Sequence, residues 1–198
     1  MTEISKLWAG YQKFHQKYFV DNPQTYEKLT KDGQAPKTLV IACSDSRVDP
    51  SIILNTEPGD IFVIRNVANL VPPYEDDMSH CHGTSAAIEY AVRHLNVENI
   101  IVLGHKHCGG VASLVNEKEH DHTFIDTWLS IAQQAKEKAL TLANQNEDVC
   151  SCCEKEVIKI SLNNLKTFPF IQDKLKSGKL ELHGWYFCLE SGNIEIIS

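Results

Sequence analysis

The segments Thr38-Leu39-Val40-Ile41-Ala42-Cys43 and Asn99-Ile100-Ile101-Val102-Leu103-Gly104 decide the fold. Each is a short apolar run without polar alternation, the pattern of a strand covered on both faces. Ile61–Arg65 (IFVIR), after the Pro58-Gly59 turn, is a third run of the same kind. Between it and Asn99, the stretch Gly83–Leu95 (GTSAAIEYAVRHL) reads as a helix with a small-residue face. Strand, crossover, strand, helix, strand implies parallel pairing in an α/β sheet.

Working outward, Ile4, Leu7, Trp8, Tyr11, Phe14 and Tyr18 recur at steps of three and four, predicting an amphipathic helix over Ile4–Tyr18. Pro23 opens a second helical stretch that Asp32-Gly33 stops, so residues 1–32 read as a helical arm. Towards the other end, helices are expected over Phe124–Leu142 and over Glu154–Phe168, the latter ending near Pro169. Leu180–Leu189 reads as a strand, with Asn193–Ile197 as its hairpin partner across Ser191-Gly192. Pro72–His82 is turn-rich and reads as a surface loop. The expectation is a single α/β domain over 1–198. Its mostly parallel central sheet is flanked by helices and finished by a C-terminal antiparallel strand or hairpin.

Composition narrows the function. The chain has 198 residues, enough to bury a sizeable core without staples. Nineteen basic against 26 acidic residues leave a formal charge of −7, which disfavours a grip on nucleic-acid phosphates. No apolar run approaches the roughly 20 residues of a membrane span. The opening MTEISKLWAGYQKF carries no apolar secretory core, so a cytoplasmic protein is expected. Seven cysteines at irregular spacing then point to metal binding or plain burial rather than disulfides.

The chemistry gathers where two strands end. Cys43-Ser44-Asp45-Ser46-Arg47 follows the first, and Gly104-His105-Lys106-His107-Cys108-Gly109-Gly110 closes the third. Parallel sheets bind ligands outside the carboxyl ends of their strands. If the two strands are neighbours, Cys43, His105 and Cys108 converge, and two thiolates with one imidazole suit zinc. Three protein donors leave a fourth position open, the mark of a catalytic site, with Asp45 close by. A lone Cys or His at a strand end is ordinarily packed or solvated. It is the coincidence of C-x-D-x-R and H-x-x-C at two strand exits that carries the reading. Arg47 could be a plain surface arginine, yet it stands where it can hold Asp45 by a bidentate pair.

These residues resemble the β-class carbonic anhydrases, over most of the chain. The likeness runs through Gly33-Gln34-Ala35-Pro36, CSDSRVDP, EPGDIFVIRNVANLVPPYE, GTSAAIEYAVRHL, GHKHCGGV and CEKEVIKISLNNLKTFPF. The VPPYE and EKEV segments look like the plant-typified branch. The resemblance implies one Zn2+ per chain on Cys43, His105 and Cys108. It implies reversible hydration of carbon dioxide to bicarbonate and a proton, by attack of zinc-bound hydroxide. It gives Asp45 and Arg47 the role of orienting that hydroxide, and a substrate pocket at Gln34, Phe62, Val67, Tyr90 and Gly109. Phe62, Val67 and Tyr90 would otherwise read as ordinary core. A homodimer or higher assembly is implied, its site lined by both subunits and the N-terminal helix available as an arm. Some bacterial relatives are inhibited by bicarbonate in a pocket using a tryptophan where this chain has Val40. With only Arg65 of that pocket retained, Asp45 is expected on Arg47 rather than on the metal.

Two other readings stand beside this one: hydrolysis of carbon disulfide or carbonyl sulfide on the same zinc scaffold, and a non-catalytic zinc or thiol redox protein. Cys150, Cys152 and Cys153 open a helix, and no second ligand pair stands opposite them. His80, Cys81 and His82 could catch stray metal, and His120 and His122 read as solvated. His107 receives no role.

Overall fold

The computed structural model describes residues 2–77, 79, 81–116, 123–143 and 148–197. In chain order the helices are α1 (Glu3–His15), α2 (Gln24–Asp32), α3 (Pro50–Ile53), α4 (Gly83–Glu89), α5 (Gly109–Asn116), α6 (Phe124–Leu129), α7 (Gln133–Leu142), α8 (Val149–Leu165) and α9 (Pro169–Lys176). The strands are β1 (Thr38–Cys43), β2 (Ile61–Asn66), β3 (Asn99–His105), β4 (Glu181–Phe187) and β5 (Ile194–Ile197). They form one five-stranded sheet in the order β2-β1-β3-β4-β5. The first four run parallel, and β5 pairs antiparallel with β4. The mostly parallel α/β sheet with its antiparallel edge is the one expected.

Alternation along β1 and β3 supplies both faces of the sheet. Leu39, Ile41, Ile100 and Val102 pack with Ile88, Val92, Ile158 and Leu165 on one side. Val40, Ala42, Ile101 and Leu103 face the other, against Leu54 and Trp185. A further apolar cluster joins Cys43 and Cys108 to Leu114, Ala135, Ala139, Cys153 and Val157. That cluster caps the carboxyl end of the sheet and buries the ground under the candidate site. Close approach is needed where α8 crosses β3: a Cβ on Gly104 would stand 2.7 Å from Ile158 side-chain atoms.

Several elements differ from expectation for local reasons. The helix expected over 124–142 is two helices joined by a 3₁₀ turn at Ser130–Ala132. Ala132 leaves helical geometry at φ −98°, ψ 9°, while the apolar spacing runs on unbroken across it. Helix α8 starts at Val149, ahead of Glu154, because Asp148 caps it by accepting from the Ser151 N–H. Helices α5 and α9 were not anticipated; α9 starts on Pro169, a residue suited to a first helical position. The arm runs α1, a π-helical turn at Gln16–Asp21, then α2. Helix α1 buries no residue, and Ile4, Leu7, Trp8 and Tyr11 are exposed on it.

Candidate metal centre

Strands β1 and β3 are direct neighbours, with Ala42 opposite Leu103, so both motif-bearing loops leave the sheet side by side. Cys43, His105 and Cys108 are all buried, and their donor atoms lie within 4.8 Å of one another. The two sulfurs are 3.9 Å apart. Zn–S bonds of about 2.3 Å at a tetrahedral angle require about 3.8 Å between sulfurs. His105 Nδ1 donates to the Lys106 carbonyl at 2.9 Å, which leaves the lone pair on Nε2. That Nε2 is buried with no hydrogen-bond partner. An orphaned imidazole nitrogen facing two sulfurs fits a thiophilic divalent metal. The sulfurs act as a pair: their contact holds the Cys43 thiol below its usual range and pushes Cys108 up.

Asp45 stands beside this group with Oδ2 4.0 Å from His105 Nε2. Arg47 grips it bidentately, Nε to Oδ1 at 2.9 Å and a terminal nitrogen to Oδ2 at 2.7 Å. The Arg47 backbone N–H adds a bond to Oδ1 at 2.9 Å. The Arg47 guanidinium holds the Asp45 carboxyl well below the usual carboxylate range. The same guanidinium donates to the His107 carbonyl at 3.0 Å, tying the two loops together. Arg65 underpins the turn, donating to the Cys43 carbonyl (3.1 Å), the Asp45 carbonyl (2.7 Å) and Asp49 (2.9 Å).

The five expected pocket residues divide into two groups. Gly109 opens α5 immediately after Cys108, and Val67 follows β2, whose last residue Asn66 pairs with Cys43. Trp128 donates to the Val67 carbonyl at 2.8 Å, and both line a cleft of about 590 Å³. Phe62 pairs with Leu39, four residues back from Asn66, or about 13 Å along the strand. Tyr90 lies against Phe62, ring centroids 5.9 Å apart, and is 45% exposed. Gln34 is exposed ahead of β1. Within one chain, Gln34, Phe62 and Tyr90 therefore stand at the far end of the sheet from the sulfurs.

Among the described residues, no other group of three or more His, Cys, Asp or Glu side chains is placed to hold a metal. Cys153 is fully buried, its thiol pushed up to about 12 by that burial. His82 bonds the Asp77 carbonyl at 3.0 Å and Cys81 is exposed. His80, His120 and His122 lie outside the described residues. His107 has a left-handed backbone, φ 58°, and bonds Glu190 at 2.8 Å; Lys106 meets the same carboxylate at 2.6 Å. Sequence reasoning did not single out Glu154. Its buried carboxylate accepts the Cys108 N–H at 2.9 Å and the Tyr186 hydroxyl at 2.7 Å. Its partners lie 46 and 32 residues away, so no local spacing signals them.

A mostly parallel α/β sheet that brings Cys43, His105 and Cys108 together beside a fixed carboxylate defines a protein with a group able to hold a metal ion. The family follows from comparison. Residues 38–194 match the carbonic anhydrase family model. The chain is 46% identical over 173 residues to β carbonic anhydrase 5, chloroplastic, of Arabidopsis thaliana, covering 85% of this chain. It spans 56% of that relative's length. Among solved structures, the β-carbonic anhydrase CcaA is 37% identical with a TM-score of 0.86, covering 98% of this chain and 86% of that one. Tetrameric β-carbonic anhydrases of Sordaria macrospora are matched at 35% identity and TM-score 0.78, covering 98% and 93% of the two chains. This chain belongs to the β-carbonic anhydrase family. Among the described residues, no helix is long and apolar enough to cross a membrane.

Proposed function

We propose that the chain catalyses the reversible hydration of carbon dioxide to bicarbonate and a proton, with one Zn2+ held by Cys43, His105 and Cys108. The observation that carries this is the buried, unpartnered His105 Nε2 beside two sulfurs 3.9 Å apart, with Asp45 fixed alongside. When bound, zinc supplies a Lewis acid that brings the ionisation of water to roughly neutral pH. The chain's own residues do the rest. Asp45, ionised and locked by Arg47, presents an acceptor to whatever occupies the open position, fixing its orientation and taking its hydrogen bond. Arg47 also keeps Asp45 from turning onto the metal. Val67 offers an apolar wall, which suits a small uncharged substrate. The Gly109 N–H, at the start of α5, would donate to an anionic product.

We further propose a homodimer or higher assembly in which Gln34, Phe62 and Tyr90 complete the pocket of a second copy. Their place at the far end of the sheet and the exposed apolar face of α1 support this. All seven cysteines are free, which supports a reducing compartment, and we place the protein in the cytoplasm.

The test is metal analysis joined to stopped-flow hydration of carbon dioxide. About one zinc per chain and rapid hydration are expected. Cys43→Ala, His105→Ala and Cys108→Ala should each lose both together. Retained zinc with near-normal turnover in one of them would remove that residue from the donor set. Carbonyl sulfide and carbon disulfide run on the same preparation test the sulfur-substrate alternative.

A further inference from the structure

Glu154 is a buried carboxylate, 4% exposed, that the chemistry above leaves unused. Burial pushes its carboxyl up, against the bonds it receives from Tyr186 and from the Cys108 backbone. A carboxylate out of water is costly unless its oxygens are satisfied, and here both are: Oε1 by the Cys108 N–H and Oε2 by the Tyr186 hydroxyl. The position is held from behind as well. Ile158, one turn further along α8, lies on the same helix face and packs hard against Gly104, next to His105.

The loop that Glu154 grips needs holding. His107 sits in the left-handed region, which residues with a Cβ adopt uncommonly and at a cost. Arg47 takes the His107 carbonyl and Glu154 takes the Cys108 N–H, the two ends of the one peptide that follows the kink. The direction of the Cys108 Cα–Cβ bond, and hence of its sulfur, follows from that peptide. Without an acceptor the amide of Cys108, a residue 1% exposed, would be orphaned, and the peptide could turn to find another partner.

We propose that Glu154 is a positioning residue for the metal centre: through the Cys108 N–H it aims the Cys108 sulfur at the point shared with Cys43 and His105, and Tyr186 holds it in place. The proposal rests on the metal-centre reading given above. It is tested with zinc affinity, measured by chelator competition, and with the absorption spectrum of the cobalt(II)-substituted protein. That spectrum reads the thiolate geometry directly. Glu154→Ala should bind zinc about 10- to 100-fold more weakly and show altered thiolate-to-cobalt bands, with the circular dichroism of a folded chain. Glu154→Gln keeps an acceptor oxygen and should restore the wild-type spectrum. A folded Glu154→Ala with wild-type affinity and spectrum overturns the proposal. So does a Glu154→Gln as impaired as Glu154→Ala, since that would assign the effect to charge. Where Glu154→Ala does not fold, Tyr186→Phe decides: it loosens Glu154 and should shift affinity and spectrum in the same direction, and unchanged values overturn the proposal. A wild-type chain that takes up neither zinc nor cobalt sinks the metal-centre reading itself, a failure separate from these.

Discussion

Replacing Gly104 by alanine should destabilise the protein and disturb its metal centre through one displacement. The new Cβ would stand 2.7 Å from Ile158 Cδ1 and from Ile158 Cγ1. Restoring an ordinary contact of 3.4 Å needs a shift of about 0.7 Å. Neither partner yields easily: Gly104 lies inside β3, and Ile158 is fully buried on α8. Overpacking of this kind costs roughly 1–3 kcal/mol. Part of the shift passes along α8 to Glu154, one turn away. If the helix recoils as a rod, the 2.9 Å bond to the Cys108 N–H lengthens towards about 3.6 Å, where it ceases to be a hydrogen bond. Urea denaturation of Gly104→Ala reads the first effect and zinc affinity reads the second. Ile158→Ala removes both clashing atoms, so the double variant should be more stable than the sum of the two single losses predicts. A Gly104→Ala protein within about 0.5 kcal/mol of wild type, or strictly additive single losses, would refute the reasoning.

Three further outcomes are expected. Arg47→Ala should cut carbon dioxide hydration by about 100-fold by releasing Asp45, with zinc content unchanged and stability within about 1 kcal/mol because the Arg47 side chain is 53% exposed; rapid turnover in that variant would show that Asp45 keeps its orientation unaided. Asp148→Ala should cost about 1 kcal/mol through loss of the cap on α8. The Ser151 bonds lower the Asp148 carboxyl, so the cap contributes fully above the ordinary aspartate value of roughly 4 and is lost as the pH falls below it; denaturation midpoints at several pH values should converge for wild type and variant in acid. Cys150→Ser and Cys153→Ser should leave zinc stoichiometry unchanged, the second with lower stability because Cys153 is fully buried; loss of one metal per chain would place a second site there.

The donor set is legible in the chain because each motif ends an apolar run, and a parallel pairing of those runs brings the motifs to one edge. Parallel pairing itself follows from the helix between Gly83 and Leu95, since strands joined by a crossover cannot form a hairpin. Boundaries are less legible. The start of α8 is set by Asp148, whose capping bond is made by one side chain and leaves no trace in the apolar periodicity. The 3₁₀ turn at Ser130–Ala132 lies within an apolar stripe that reads as continuous. Glu154 is hidden for a different reason: a glutamate near a helix start reads as solvated, and only the arrival of Tyr186 and Cys108 from distant segments makes it a buried acceptor. Phe62 and Tyr90 read as core and prove half-buried and exposed, because their place is at a margin of the sheet rather than under it.

The distance between the sulfurs and the Phe62–Tyr90 pair has a consequence for mixtures. In a twofold dimer each pocket would take its donors from one chain and its aromatic wall from the other. A chain lacking Cys43 and a chain lacking Tyr90 would each be inactive alone. Refolded together at equal amounts, they would form hybrids in which one pocket carries both lesions and the other carries neither. About a quarter of all pockets would then be intact, and activity would rise from nothing when two dead proteins are combined.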